Sequence, residues 1–254
     1  MNKIFKMDLH RMLHSVSFYV AIVFLIAMAV GQILGGMSTT LDGLMGAVGT
    51  GDTGADFMST AMGAGVIYIL LSIVLSIFVC GDYANGFAKN IFAVHADPKD
   101  YVCGKMLSMG VVSAFLLVLY TVISAIALPV LGYSVTLSGG IFGLIVFLVE
   151  KWLVSLALCA VVLFVALFTR NMAWSMFAGF VIATGGLSMG ASLFAQMVHM
   201  EWIESIFSVL ISSAAKACTM SFSLSVFLRV LIISAVWIAV TYIASTRTLK
   251  KKDI

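Results

Sequence analysis

The fold is decided by residues 141–168, which read IFGLIVFLVEKWLVSLALCAVVLFVALF. Only Glu150 and Lys151 are charged in this stretch. The stretch is longer than the roughly 20 apolar residues that a helix needs to cross the hydrocarbon core of a bilayer. The whole chain has the same character: 62% of its 254 residues are hydrophobic, 10% are charged, and the mean hydropathy is +1.16. Because a segment inside a bilayer must satisfy its own backbone hydrogen bonds, we predict an all-α, polytopic membrane protein.

Five further apolar stretches are comparable to this one. We therefore predict six transmembrane helices, at residues 17–36, 61–81, 106–132, 141–168, 173–197 and 225–245. They form one permease-sized membrane domain over residues 1–254, with an amphipathic arm at 1–16 and a polar loop at 82–105. The segment 198–224 is too polar to span and too apolar to float free, and its serines share a helical face. We expect a re-entrant or interfacial outer helix there, before the last span.

The distribution of basic residues predicts the orientation. Eleven of the 14 Lys and Arg residues fall on one side of the predicted spans: Lys3, Lys6, Arg11, Lys89, Lys99, Lys105, Arg170, Arg247, Lys250, Lys251 and Lys252. Cytoplasmic loops carry such an excess, so we place this side, including both termini, in the cytoplasm. The net charge of +3 reflects this bias, and we predict no nucleic-acid partner, since no basic domain exists to provide a footprint.

The arm before the first span has the pattern of an interfacial helix. Its apolar residues recur at helical spacing, and its basic residues fall on the other face: Phe5, Leu9, Met12, Leu13 and Val16 against Lys3, Lys6, His10 and His14. Such a helix lies in the membrane surface, with its basic side toward lipid headgroups. A simple basic anchor and a docking surface for a partner both remain open.

The loop at 82–105 is longer than a connector between two helices requires. Asp82 stands where a helix leaves the membrane, Gly86 lets the chain turn, and residues 88–94 can form a short helix. Asp97 and Pro98 then break that helix. We also expect Asp82 to pair with Lys89 if the chain turns at Gly86. A compact helix at this position suits a soluble partner that pushes on the membrane domain.

These residues resemble a motif of the type-2 ABC exporter permeases. After their second span those permeases carry an acidic residue, then Gly-Thr, then Lys, followed by a Pro and by a Gly-Lys that opens the third span. The matching positions here are Asp82, Gly86-Phe87, Lys89, Pro98 and Gly104-Lys105. Asp82 replaces the usual Glu, and Phe87 replaces the usual Thr. The amphipathic arm, six spans and chain length also resemble that family, most of all its short Firmicute permeases for peptide or bacteriocin export and immunity.

The resemblance implies a non-catalytic subunit of an ATP-driven exporter in the bacterial cell membrane. A separate cytoplasmic ATPase, which holds ATP and Mg, would dock on Asp82, Gly86, Lys89, Asn90 and Pro98. It would also contact Phe5, Leu9 and Arg11 of the arm. The chain itself has no Gly-x4-Gly-Lys-Ser/Thr phosphate loop, so we expect no cofactor in it. A second permease, identical or different, would complete the channel for an amphipathic peptide, lipid or drug.

Glu150 and Lys151 interrupt the fourth span. A charge at the centre of a membrane helix costs about 2.5–3.5 kcal/mol on insertion scales and usually faces protein or water. Neighbours in sequence point in different directions on a helix, so we expect each to find a partner elsewhere or to reach an interface. One interpretation is a polar lining of a transport path; the other is a span that begins only near Trp152.

The alternative function is an ion-coupled secondary transporter using Glu150 and Lys151. Such transporters carry intramembrane charges and broken helices in corresponding halves, whereas here both charges lie in one half. An intramembrane enzyme has less support, because no span carries a nucleophile and base pair or a HExxH sequence. We therefore predict no catalytic residue and no metal site.

Overall fold

The chain is all-helical in the computed structural model, which describes residues 2–36, 65–93, 97–130, 140–186, 190, 210–218, 220 and 223–251. The helices are α1 (Asn2–Leu13), α2 (Val16–Gly36), α3 (Val66–Ala84), α4 (Phe87–Ala93), α5 (Pro98–Val130), α6 (Gly140–Thr169), α7 (Met172–Ala183), α8 (Ile211–Ala217) and α9 (Leu224–Lys251). The predicted all-α fold is confirmed for these residues.

Among the described residues, four helices, α3, α5, α6 and α9, are long and apolar enough to cross a bilayer. A fifth span results if α1 and α2, which meet at a bend of 55°, are counted as one. Helix α7 is apolar but has 12 residues, and most of the predicted fifth span beyond it lies outside the described residues. The multi-pass character is therefore confirmed, while the count of six spans stays a prediction. Of the predicted segment 198–224, the part before residue 210 also lies outside the description.

Large apolar side chains cover the outside of the bundle. On α2, α5, α6 and α9 the following are each 46–67% exposed: Val23, Phe115, Val118, Ile126, Phe142, Ile232 and Val240. Soluble proteins rarely expose continuous apolar surface on this scale. These faces are suited to lipid, and the described polar side chains that are buried lie between helices instead.

Helix α6 lies at the centre and contacts α3, α5, α7, α8 and α9. Its buried residues Val154, Leu158, Val162 and Ala166 recur every four positions and form one packing ridge. Helices α3 and α7 pack closely at Gly179, where an added Cβ would overlap the Ser72 side chain. Small residues permit such close approach in membranes.

The segments predicted to be cytoplasmic gather at one end of the bundle. Helix α1 packs on the first turns of α5, and the Arg170 guanidinium carbon lies 5.0 Å from the ring centre of Tyr83 at the end of α3. Tyr242, near the end of α9, is within electrostatic reach of Asp97 and Asp100. We call this the basic end. It is where the predicted coupling residues come together.

Candidate functional site

Four charged side chains meet at the basic end, and we call them the ion cluster: Asp8 and Arg11 of α1, Asp82 of α3 and Lys105 of α5. The side chains of Asp8, Asp82 and Lys105 are fully buried, and that of Arg11 is 35% exposed. With two acids and two bases the cluster has no net charge. Such compensation is needed because an unpaired buried charge is strongly unfavourable.

Asp82 is the best-bonded member of the ion cluster. Its Oδ1 accepts a hydrogen bond from Arg11 Nη2 at 2.8 Å, and its Oδ2 accepts one from Lys105 Nζ. The hydroxyl of Tyr101 also donates to Oδ2, at 3.4 Å. Both carboxylate oxygens are therefore satisfied, and one side chain joins α1, α3 and α5.

Asp8 is bonded less completely. Lys105 Nζ donates to its Oδ1 at 3.2 Å, and Arg11 Nη1 lies 3.8 Å from the same oxygen. Its Oδ2 has no hydrogen-bond partner among the described residues. Burial raises the pKa of Asp8 above its ordinary value of 3.8, although the charge of Lys105 opposes the rise. Asp8 is thus the member of the ion cluster whose charged form is stabilised least.

Two phenylalanines support the cations of the ion cluster. Lys105 Nζ lies 3.7 Å from the ring centre of Phe78, and the Arg11 guanidinium carbon lies 3.8 Å from that of Phe87. Cations over aromatic faces are attracted by the ring quadrupole, more strongly where water is excluded. Phe87 is the first residue of α4, so Arg11 connects α1 to this short helix as well as to α3.

Helix α4 is positioned by the turn at Gly86. Gly86 has φ +68°, a left-handed conformation that glycine adopts without strain. Ala88 is buried against the bundle, whereas Lys89 and Asn90 are exposed. The predicted turn and the predicted short helix are confirmed, and the docking role of Lys89 and Asn90 stays a prediction.

The expected pairing of Asp82 with Lys89 is wrong. Asp82 faces the inside of the bundle, where Arg11 and Lys105 reach it, while Lys89 lies on the exposed side of α4. Pro98 follows α4, as expected, and is the first residue of α5. A proline is tolerated there because it lacks only a donor that the first helical turn leaves unbonded. Its expected part in ATPase docking stays a prediction.

Of the arm residues, Phe5, Leu9 and Arg11 are all partly buried. Residues 2–13 form a helix, α1, and its inward side packs on α5; its interfacial position stays a prediction. At Gly104 of α5 an added Cβ would lie 3.2 Å from a methyl of Ile4. The Gly-Lys sequence at 104–105 therefore permits close packing of α1 and supplies the buried cation.

Asp8 was not among the predicted site residues, and Lys105 was given no role in the site. A signal for Asp8 was available: on a helix it falls between Phe5 and Met12, on the apolar side of the arm. A carboxylate on that side needs a buried cation. Lys105, next to a glycine at the start of a span, was the matching signal.

A second pair of buried charges lies on α6. Glu150 is 3% exposed and Lys151 is 1% exposed. Lys151 Nζ donates to the backbone oxygen of Ala215 at 2.7 Å. This oxygen lies in the last turn of α8, where the helix dipole favours a cation. Glu150 lies within hydrogen-bonding range of the Cys218 thiol, and its Oε2 has no partner in the part of the chain that the structure describes. Each charge thus faces protein, and a role in a transport path stays a prediction.

In comparisons with known proteins, the chain matches no family model and no curated sequence. Among the described residues, no three His, Cys, Asp or Glu side chains are grouped so that they could hold a metal ion. The features of the site are therefore buried charge pairing and an exposed short helix.

Proposed function

We propose that this chain is the membrane permease subunit of an ABC exporter, driven by a separate cytoplasmic ATPase. The observation that carries the proposal is the position of α4. This short helix presents Lys89 and Asn90 outward, and its first residue, Phe87, contacts Arg11 of the buried ion cluster. A partner that moves α4 would act directly on a group of charges that joins three other helices.

The ion cluster suits force transmission for a physical reason. Separating α1, α3 and α5 would leave Asp8, Asp82 or Lys105 buried without a partner, which costs about 3–5 kcal/mol for one broken pair. The three helices are therefore expected to move as one body. A push on α4 then tilts the inner ends of two candidate spans together, as a transporter that alternates between two states requires.

Further parts of the proposal follow from the resemblance to type-2 ABC permeases. The chain would have six spans with both termini in the cytoplasm, in a bacterial cell membrane. Two permeases, identical or different, would form the pathway, since six helices make half a channel in that family. The substrate would be an amphipathic peptide, lipid or drug moved outward. Peptide export and bacteriocin immunity are the roles of the permeases that the chain resembles most.

The test is co-purification of the full-length chain from native membranes in mild detergent. We expect a P-loop ATPase to be recovered with the wild type and to be lost with Lys89→Glu. The matched control is Lys250→Glu, which reverses another exposed charge, at the end of α9, and should retain the ATPase. Recovery of the ATPase with both variants would contradict docking at α4, and its absence from the wild type would contradict the ABC exporter itself.

A second candidate function, an ion-coupled transporter, has one specific observation in its favour. Glu150 is buried in a membrane helix with one carboxylate oxygen unpaired within the described residues, and such residues often bind ions or protons. In that case Glu150→Gln should abolish proton- or sodium-driven uptake in ATPase-free proteoliposomes. The ABC proposal predicts no gradient-driven transport in this preparation.

A further inference from the structure

Two histidines lie side by side at the end of α1. His10 and His14 are both exposed, and their ring centres are 4.2 Å apart with an angle of 19° between the ring planes. Residues four positions apart are neighbours on one face of a helix. The ion cluster uses Asp8 and Arg11 of the same helix, and neither histidine belongs to it. The pair is therefore a separate feature of α1.

The backbone keeps the two histidines on one turn. The His14 N–H donates to the backbone oxygen of His10 at 3.2 Å, which is the bond that defines an α-helical turn. Helix α2 begins only at Val16, after a bend of 55°. Both imidazoles are therefore attached to one continuous turn, just before the bend.

His14 has the tautomer of a metal ligand. Its Nδ1 lies 2.9 Å from the backbone oxygen of His10, and because a carbonyl oxygen can only accept, Nδ1 is the donor. In a neutral imidazole the other nitrogen, Nε2, then carries the lone pair. Metal-binding histidines almost always donate their second ring N–H to an oxygen in this way, which fixes the orientation of the ring.

The distance between the two rings suits a single metal ion. Two imidazole nitrogens at about 2.0–2.1 Å from a tetrahedral ion are roughly 3.4 Å from each other. The ring centres are 4.2 Å apart, so small rotations of two exposed side chains bring their Nε2 atoms to one ion. Lys6 is exposed one turn before His10 and opposes a cation, but its long side chain can extend into water.

We propose that His10 and His14 form a binding site for a divalent transition-metal ion. Imidazole nitrogen suits Zn²⁺, Ni²⁺ and Cu²⁺, whereas Mg²⁺ prefers oxygen ligands. Two protein ligands leave the other positions of the ion to water, so the ion is exchangeable, unlike one in a closed structural site. The proposal replaces the expectation of no metal site, and it does not depend on an ATPase partner.

The test is isothermal titration calorimetry of the full-length chain, purified without a polyhistidine tag, in phosphatidylcholine nanodiscs. We expect one ion per chain, with Cu²⁺ bound more tightly than Ni²⁺ or Zn²⁺, and no binding of Mg²⁺. His10→Ala and His14→Ala should each weaken binding by about 10- to 100-fold, since even the outer partners of metal ligands have effects of this size. His95→Ala and His199→Ala, at the other two histidines of the chain, should leave the affinity unchanged.

A matched control moves one histidine by a turn. The double variant Lys6→His with His10→Lys keeps the composition and charge of α1, and both positions are exposed. It separates the two histidines by eight positions, about 12 Å along a helix, and should bind as weakly as His10→Ala. Affinity equal to the wild type in this variant would overturn the proposal, because the ions would then bind to separate imidazoles. No stoichiometric binding, or unchanged affinity in either alanine variant, would also overturn it.

Amide hydrogen exchange locates the ion. The His14 amide is bonded within the turn that both ligands share, and an ion that binds only the closed turn keeps it closed. Its exchange should slow up to about 100-fold when the metal is at 100 times its dissociation constant. The Gly86 amide, which is bonded to Tyr83 in another turn, should exchange at the same rate with and without metal. Unchanged exchange at His14 with the ion bound would contradict this placement.

Discussion

Replacing Lys105 with methionine removes the cation that both buried carboxylates of the ion cluster share. Lys105 donates to Asp82 and, at 3.2 Å, to Asp8, and none of the three side chains is exposed. Methionine keeps the length of the side chain but leaves the cluster with one net negative charge. Removing one partner of a buried ion pair costs about 3–5 kcal/mol. Arg11 remains beside both acids, so we expect a loss near the lower limit, about 3 kcal/mol.

The assay is unfolding in mixed micelles with increasing SDS, followed by tryptophan fluorescence. Lys99→Met is the control, because Lys99 is exposed on the first turn of α5, and should cost less than about 0.5 kcal/mol. The double variant Lys105→Met with Asp8→Asn restores zero net charge. It should recover about 1–2 kcal/mol, in the range of measured couplings between neighbours. A Lys105→Met variant as stable as the wild type, or a double variant less stable than either single one, would refute the reasoning.

Three further predictions concern packing, pH and the turn before α4. Gly179→Ala should destabilise the fold by about 1–3 kcal/mol, because its Cβ would overlap Ser72. The control Gly31→Ala, with open space around it, should cost nothing. The same SDS titration measures both variants, and equal effects would contradict the close approach of α3 and α7. The raised pKa of Asp8 means that its carboxyl favours folding below about pH 4 and opposes it as the pH rises through the folded pKa. The wild type should therefore lose stability relative to Asp8→Asn over that rise, and a gain would contradict the direction of the pKa shift. Gly86→Ala should lower the free energy of unfolding by about 1–2 kcal/mol, since only backbone strain at φ +68° opposes it. It should also reduce recovery of the ATPase in the co-purification. Full recovery at wild-type stability would show that this turn does not position α4.

The helices could be predicted from the sequence because the signal for each lies within its own residues. Residues 141–168 are apolar enough to specify α6 (Gly140–Thr169) almost to its ends. The short helix at residues 88–94 was predicted from a glycine before it and a proline after it, and it is found as α4 (Phe87–Ala93). Local rules of helix initiation and termination were sufficient in both cases.

The pairing within the site could not be predicted in the same way. Asp82 was expected to pair with Lys89, seven positions along the chain, but its partners Arg11 and Lys105 are 71 and 23 positions away. Such pairs depend on how α1, α3 and α5 pack, which a single sequence does not contain. Packing also gives Phe87 a structural role, since its ring lies against Arg11.

Lys151 lies between these two cases, because the need for a contact could be predicted but its partner could not. The cost of a charge in a membrane helix predicted that this residue would find a partner elsewhere or reach an interface, and the structure shows the first of these. The partner is the backbone oxygen of Ala215 at the end of α8, a short helix in the segment 198–224. The sequence predicted a re-entrant or interfacial helix in that segment but not its contacts. Energetic arguments thus predicted that a contact must exist, but its partner depends on the tertiary structure.

The most direct test of the account is photo-crosslinking in living cells at α4. A photoreactive phenylalanine analogue is placed at Lys89 or Asn90, which are exposed, and as a control at Val240, which is 56% exposed on the apolar side of α9. The account predicts an adduct with a P-loop ATPase from positions 89 and 90 and none from position 240. Adducts that contain no ATPase at positions 89 and 90, or no adduct there, would contradict the claim that an ATPase drives this protein through α4.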